Sequence, residues 1–118
     1  GEAIEIGVGL ARLSREQFML DTKEGVMASW GIQDPAIGFI GLGILFNPDA
    51  FVRMVEMPDQ RQAILKLGAD HRIRYHIQGD WMNGRRFPRC PNMDNWMDEL
   101  RTSARTASLK RLPAAKEP

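Results

Sequence analysis

Ala36-Ile37-Gly38-Phe39-Ile40-Gly41-Leu42-Gly43-Ile44-Leu45-Phe46 is apolar at nearly every position and thinned only by glycine. A run of this length, bounded by turn residues, reads as a strand buried on both faces. Asn47-Pro48-Asp49 stops it, and Gly31 to Pro35 supplies the turn before it. A strand covered on both sides needs two layers around it, so the remaining elements must supply them.

Upstream, Ile4, Ile6, Val8 and Leu10 recur at period two, with Glu5, Gly7 and Gly9 between them. That is a half-buried strand whose glycines suit close approach by another chain segment. Phe18 and Leu20, then Val26, Ala28 and Trp30, continue the alternation on either side of Asp21-Thr22-Lys23-Glu24-Gly25. An Asp followed by a Gly between apolar runs predicts a hairpin, with Gly25 free to take positive φ. Downstream, Phe51 to Met57 reads as a strand ended by Pro58-Asp59. Gln62 to Leu67 alternates as a strand, although its composition also suits a short helix. His71 to Gln78 reads as a strand with Ile73, Tyr75 and Ile77 toward the core. Arg72, Arg74, His76 and Gln78 then point the other way.

Asp94 or Asn95 is placed to cap a closing helix, with Asp98 and Glu99 in its first turn and a stripe of Trp96, Leu100, Ser103 and Ala107. Trp96 is the expected anchor on the sheet. The expected architecture is a mainly β antiparallel sandwich with one C-terminal helix. Residues 1–107 form the domain, the helix covers about 94–107, and 108–118 is a tail. Because Gly1 enters what reads as the middle of a sheet, the sandwich is expected to be part of a larger one, completed by an N-terminal half or a partner chain.

A chain of 118 residues, 43% hydrophobic and 26% charged, has the composition of an ordinary globular domain. A net charge of +1 gives no global pull toward nucleic acid or membrane. The glycines at 38, 41 and 43 break up the longest apolar run well short of a membrane span. Arg85, Arg86 and Arg89 form a basic loop, but a solvated loop accounts for them more simply than nucleic acid does. The single cysteine, Cys90, excludes a disulfide within these residues and reads as an inert thiol.

No cofactor or metal signature is present. Gly7-Val8-Gly9-Leu10-Ala11-Arg12 lacks both the third glycine and the following helix of a phosphate loop. His71 and His76 fall on opposite faces of one strand by parity, which does not suit a shared metal. The best chemical candidate is the row Arg72, Arg74, His76. Guanidinium groups pair bidentately with a carboxylate, and imidazole moves a proton near neutral pH. Neutralising a uronate carboxylate while a base removes the adjacent carbon-bound proton is the requirement of β-elimination. The plainer reading of the same row is a solvated or salt-bridged outer sheet face, with Arg72 and Arg74 paired to Glu or Asp on a neighbouring strand. Tyr75, by parity, reads first as a core residue. Trp81, after Gly79-Asp80 at a strand end, reads either as the ring that stacks on a sugar or as a residue of the core edge.

Several motifs, taken in order, resemble the C-terminal part of an uncharacterised bacterial β-sandwich family found with enzymes that break down acidic plant and algal polysaccharides. They are Ile6-Gly-Val-Gly-Leu10, Glu24-Gly-Val-Met-Ala-Ser-Trp-Gly31, Ile40-Gly-Leu-Gly-Ile-Leu-Phe46, Arg74-Tyr-His-Ile-Gln-Gly-Asp-Trp81 and Asn95-Trp-Met-Asp-Glu-Leu100. The resemblance covers the chain to about residue 105. It implies a polysaccharide-lyase-like sandwich, a uronate-containing substrate, and a periplasmic or extracellular location. On this reading Arg72 and Arg74 bind the carboxylate, His76 or Tyr75 acts as base or acid, and Trp81 stacks on the sugar. The alternative is a non-catalytic module that binds glycans or buttresses a larger complex.

Overall fold

The computed structural model describes residues 4–70, 72–82 and 92–107. Its strands are β1 (Glu5–Ala11), β2 (Ser14–Asp21), β3 (Val26–Ile32), β4 (Phe39–Phe46), β5 (Phe51–Glu56), β6 (Gln60–Lys66) and β7 (Tyr75–Trp81). A 3-10 turn, Pro48–Ala50, sits before β5, and the helix α1 spans Met93–Ala107. One sheet has the order β1-β6-β5 and the other β2-β3-β4-β7, and every pairing is antiparallel. Two packed antiparallel sheets and one closing helix are the sandwich that the alternation predicts.

The middle strands β3 and β4 are buried on both faces, as the apolar run demands. Met27, Ile44 and Phe46 point into the space between the sheets, where they meet Val8, Leu10, Ala50, Ala63 and Leu65. Phe46 stacks on Phe51, ring centroids 5.5 Å apart. On the reverse face Val26, Ala28, Trp30 and Leu45 pack against Met93, Trp96, Met97, Leu100 and Ala104 of α1. The molecule is therefore three layers deep at β3 and β4: sheet, sheet, helix.

Glycine in β4 is what lets the helix approach. A Cβ built on Gly41 would stand 2.6 Å from the Trp96 ring, and one on Gly43 would stand 2.7 Å from Leu100. The indole lies where a side chain would otherwise project, and its Nε1–H donates to the Leu42 carbonyl at 3.1 Å. The buried ring thus keeps its polar atom satisfied. The other glycine with a clear task is Gly25, whose φ of +75° closes the β2–β3 hairpin. Its N–H donates to the Asp21 carbonyl at 2.9 Å.

The helix is also tied to that hairpin by charge. Arg101 Nε meets Asp21 Oδ2 at 3.0 Å, and Arg105 Nε meets Glu24 Oε1 at 3.3 Å. Asp21 feels opposing effects. Partial burial alone would raise its pKa, but the Glu24 backbone N–H, the Arg101 guanidinium and the Lys23 backbone N–H together hold it below its ordinary value.

Several boundaries differ from expectation. The helix begins at Met93 and is capped by Asn92, whose side chain accepts from the Asn95 N–H at 2.9 Å. Asp94 is therefore the acidic residue of the first turn, and Asp98 and Glu99, expected there, lie beyond it because the helix starts earlier. Its inner stripe carries Met93, Trp96, Met97, Leu100 and Ala104, so Ala104 takes the place expected for Ser103. Residues 36–38 belong to the preceding turn, with Gly38 at φ +94°, so β4 starts at Phe39. Gln60–Lys66 is a strand, which resolves the ambiguity at Gln62 to Leu67. The expected strand at His71 begins only at Tyr75 and continues to Trp81.

Two stability outcomes follow. Gly41→Ala drives a methyl into an immobile indole and should cost about 1–3 kcal/mol, read as a lowered Tm. Gly7→Ala meets mainly the flexible end of Gln62 and should cost less. If the two are equal in a thermal melt, close packing of Trp96 on β4 is not what requires Gly41. Because the folded Asp21 has a depressed pKa, its contribution is present above the unfolded carboxylate pKa. It is lost as pH falls through the folded value. Chemical denaturation at neutral pH and in acid should therefore show a smaller acid loss in Asp21→Asn than in the unaltered chain.

Candidate functional site

The segment leading into β7 is built by a tight turn. Gly68 N–H donates to the Arg72 carbonyl at 3.0 Å, and Asp70 Oδ1 accepts from the Arg72 N–H at 3.1 Å. This delivers the chain antiparallel to β4 in a register that sets Tyr75 beside Phe46, His76 beside Leu45, Ile77 beside Ile44 and Trp81 beside Ile40. Since Leu45, Gly43 and Gly41 face the helix, their partners His76, Gln78 and Asp80 lie on the helix side. Gln78 Nε2 accordingly meets Glu99 Oε2 of α1 at 3.3 Å. Tyr75, Ile77, Gly79 and Trp81 lie on the other side, the one that elsewhere faces the second sheet.

Parity gives Tyr75 and Ile77 a core position, and the structure overturns it. The β1-β6-β5 sheet packs on side chains of β2, β3 and β4, with Arg61 of β6 above the Phe18 ring of β2 at 4.2 Å, and leaves this row of β7 exposed. Tyr75 is 43%, Ile77 63% and Trp81 41% exposed. Only Ile73, just before the strand, reaches the core between the sheets. Trp81 is nevertheless oriented, because its Nε1–H donates to the Ile37 carbonyl at 2.8 Å. Its backbone N–H is taken by Asp80 Oδ1 at 2.8 Å.

His76, Arg72 and Arg74 are exposed as well. His76 and Tyr75 are consecutive and point to opposite faces, so they do not converge on one reacting atom from one side. Trp81 shares Tyr75's face, roughly 20 Å further along at about 3.4 Å per residue. The structure therefore brings Tyr75 and Trp81 into one row and separates both from His76. His71, the loop with Arg85, Arg86, Arg89 and Cys90, and the tail from residue 108 lie outside the described residues.

The arginines fall into two groups. Arg12 meets Glu56 at 3.0 Å, Arg53 meets Glu5 at 3.2 Å, Arg61 meets Glu16 and Glu56, and Arg101 and Arg105 meet Asp21 and Glu24. Arg15 lies over the Phe39 ring at 5.6 Å. Among the described residues, Arg72 and Arg74 meet no carboxylate. Of the plainer reading of this row, salt bridges to a neighbouring strand do not describe them, whereas a solvated outer face does.

Among the described residues no group of three or more His, Cys, Asp or Glu is gathered as a metal site. No described helix is long and apolar enough to cross a membrane. Compared with protein families, curated proteins and solved structures, the chain finds no match. The resemblance to the polysaccharide-associated sandwich family thus stands on its sequence motifs alone.

Proposed function

We propose that β7 and its approach form the ligand face of a carbohydrate-active domain that takes an acidic, uronate-containing oligosaccharide. The observation that carries this reading is the pair of exposed arginines, Arg72 and Arg74, without carboxylate partners among the described residues, in a fold whose other described arginines nearly all have one. A carboxylate from outside the chain is the group they suit best. Tyr75 and the oriented Trp81 lie on the opposite side of the same strand, where their flat ring faces offer a second surface against which the C–H-bearing faces of sugars can lie. The resemblance supplies the substrate class, and a polymeric acidic substrate goes with a periplasmic or extracellular location.

Within this reading, binding is favoured over turnover by one feature: His76 and Tyr75 stand on opposite faces of β7. Elimination would then rest on His76 as base with the arginines holding the carboxylate, and Tyr75 would serve as a binding ring.

Calorimetric titration with oligogalacturonates and with a neutral oligosaccharide of the same length tests the proposal. Saturable binding of the acidic ligand alone is expected. Arg72→Ala and Arg74→Ala should each weaken it roughly tenfold or more, the equivalent of losing a charge-assisted hydrogen bond of ~1.5–3 kcal/mol. Salt at about 1 M, where screening acts within ~3 Å, should weaken binding in the unaltered chain more than in the double variant. No binding to any acidic glycan, or equal binding in the arginine variants, removes the proposal. Absorbance from unsaturated uronates distinguishes turnover from binding, and unchanged turnover in His76→Ala would exclude His76 as the base.

A further inference from the structure

β7 ends the larger sheet, and the hydrogen-bond phase shows which of its groups are unused by β4. Met82 N–H donates to the Phe39 carbonyl at 3.1 Å, so residues 39 and 82 form a bonded pair. On the other side of β4, Phe46 N–H donates to the Gly25 carbonyl at 2.9 Å, which puts the even residues of β4 toward β3. The odd residues of β4 therefore bond to β7 through His76, Gln78 and Asp80. The backbone N–H and C=O groups of Tyr75, Ile77, Gly79 and Trp81 point away from the sheet. These are the same residues whose side chains form the uncovered row.

Such an edge is normally protected by a bulge, a lysine or a proline. At the opposite end of this sheet β2 is broken by a register shift between Ser14 and Gln17, with Arg15 at φ +53°. In the other sheet β5 is shifted between Phe51 and Arg53. β7 keeps one unbroken register against β4 from Tyr75 to Trp81, and its outward row carries no charge.

We infer that β7 pairs antiparallel with β7 of a second copy of this chain, about a two-fold axis through Gln78. The strand is self-complementary in that register. Tyr75 stands opposite the second copy's Trp81, and Ile77 opposite its Gly79, each pair exchanging backbone bonds between outward groups. His76 stands opposite the second copy's Asp80, with Arg74 one diagonal away, so the basic end of each strand meets the acidic end of the other. Trp81 N–H passes from its own Asp80 to the second copy's Tyr75 carbonyl. The two outward rows become one continuous apolar surface, and the β2-β3-β4-β7 sheets join. The interface is isologous, as closed two-fold dimers require. It stands whether or not β7 also takes a glycan, since Arg72 and Arg74 lie outside the backbone pairing.

Sedimentation equilibrium and light scattering of the chain test this. The expected mass is twice the 13.4 kDa of one chain. Ile77→Lys places a charge in an exposed outward position and should give a monomer with an unchanged far-UV spectrum. Gln78→Cys in a Cys90→Ser background should form an intermolecular disulfide under mild oxidant. The two Cα atoms of such a non-bonded pair stand about 4.5 Å apart, within disulfide range. A monomer for the unaltered chain at high concentration, or a dimer that survives Ile77→Lys, overturns the inference. Absence of the disulfide where Ile77→Lys does dissociate the dimer overturns the register about Gln78. Glycan binding measured on the same samples is a separate readout, so failure of one proposal is not failure of the other.

Discussion

The contact between β4 and α1 sets the rest of the molecule. Trp96 and Leu100 occupy the positions that side chains on residues 41 and 43 would fill, and glycine at both positions leaves the backbone bare for them. Because the helix seats there, β3 and β4 are dry on both faces, and the outer face of the larger sheet becomes a second core. Removing the helix would expose Val26, Ala28, Trp30 and Leu45 together, an apolar patch of the kind that drives aggregation. The Arg101–Asp21 and Arg105–Glu24 pairs fix the helix's direction at the hairpin end. Partly exposed pairs of this sort orient more than they stabilise.

Much of this architecture is legible in the residue pattern because burial on one or two faces leaves a period in the chain. The alternation from Ile4 to Leu10 predicts Val8 and Leu10 inward, and they are. The hairpin at Asp21–Gly25, the doubly buried strand at Phe39–Phe46 and the Trp96 anchor rest on equally local signals. What local signals do not reveal is the layer each face meets. The glycines of the Gly41-Leu42-Gly43 stretch read as a thinning of the apolar run. Their cause is a helix more than fifty residues later, which meets β4 only once the chain is folded.

The same limit explains the site. Period two places Tyr75 and Ile77 together correctly, but it cannot say whether the face they share is covered. Coverage depends on how far the β1-β6-β5 sheet extends, and it leaves Tyr75, Ile77 and Trp81 exposed. Alternation along a strand also sends Tyr75 and His76 to opposite faces, so two adjacent strand residues are a poor source for a base and an acid that must meet one substrate atom. That Arg72 and Arg74 meet no carboxylate among the described residues, by contrast, has no sequence signal. It depends on where every Asp and Glu finishes, and most of the described arginines find one.

β7 is open in both of its directions. Its side chains on one face are apolar and uncovered, and its outward backbone groups have no partner strand among the described residues. A row of Tyr, Ile and Trp facing water is unfavourable in proportion to its apolar area. Two indole hydrogen bonds show how differently the fold treats its tryptophans. Trp96 is anchored to the Leu42 carbonyl within the core, whereas Trp81 is anchored to the Ile37 carbonyl while its ring stays half exposed. A ring held in one orientation at the surface loses little further freedom when something packs on it. Preorganisation of that kind, on a strand whose approach carries arginines with no carboxylate among the described residues and whose outer edge is unbroken, concentrates at β7 features that favour contact with another molecule.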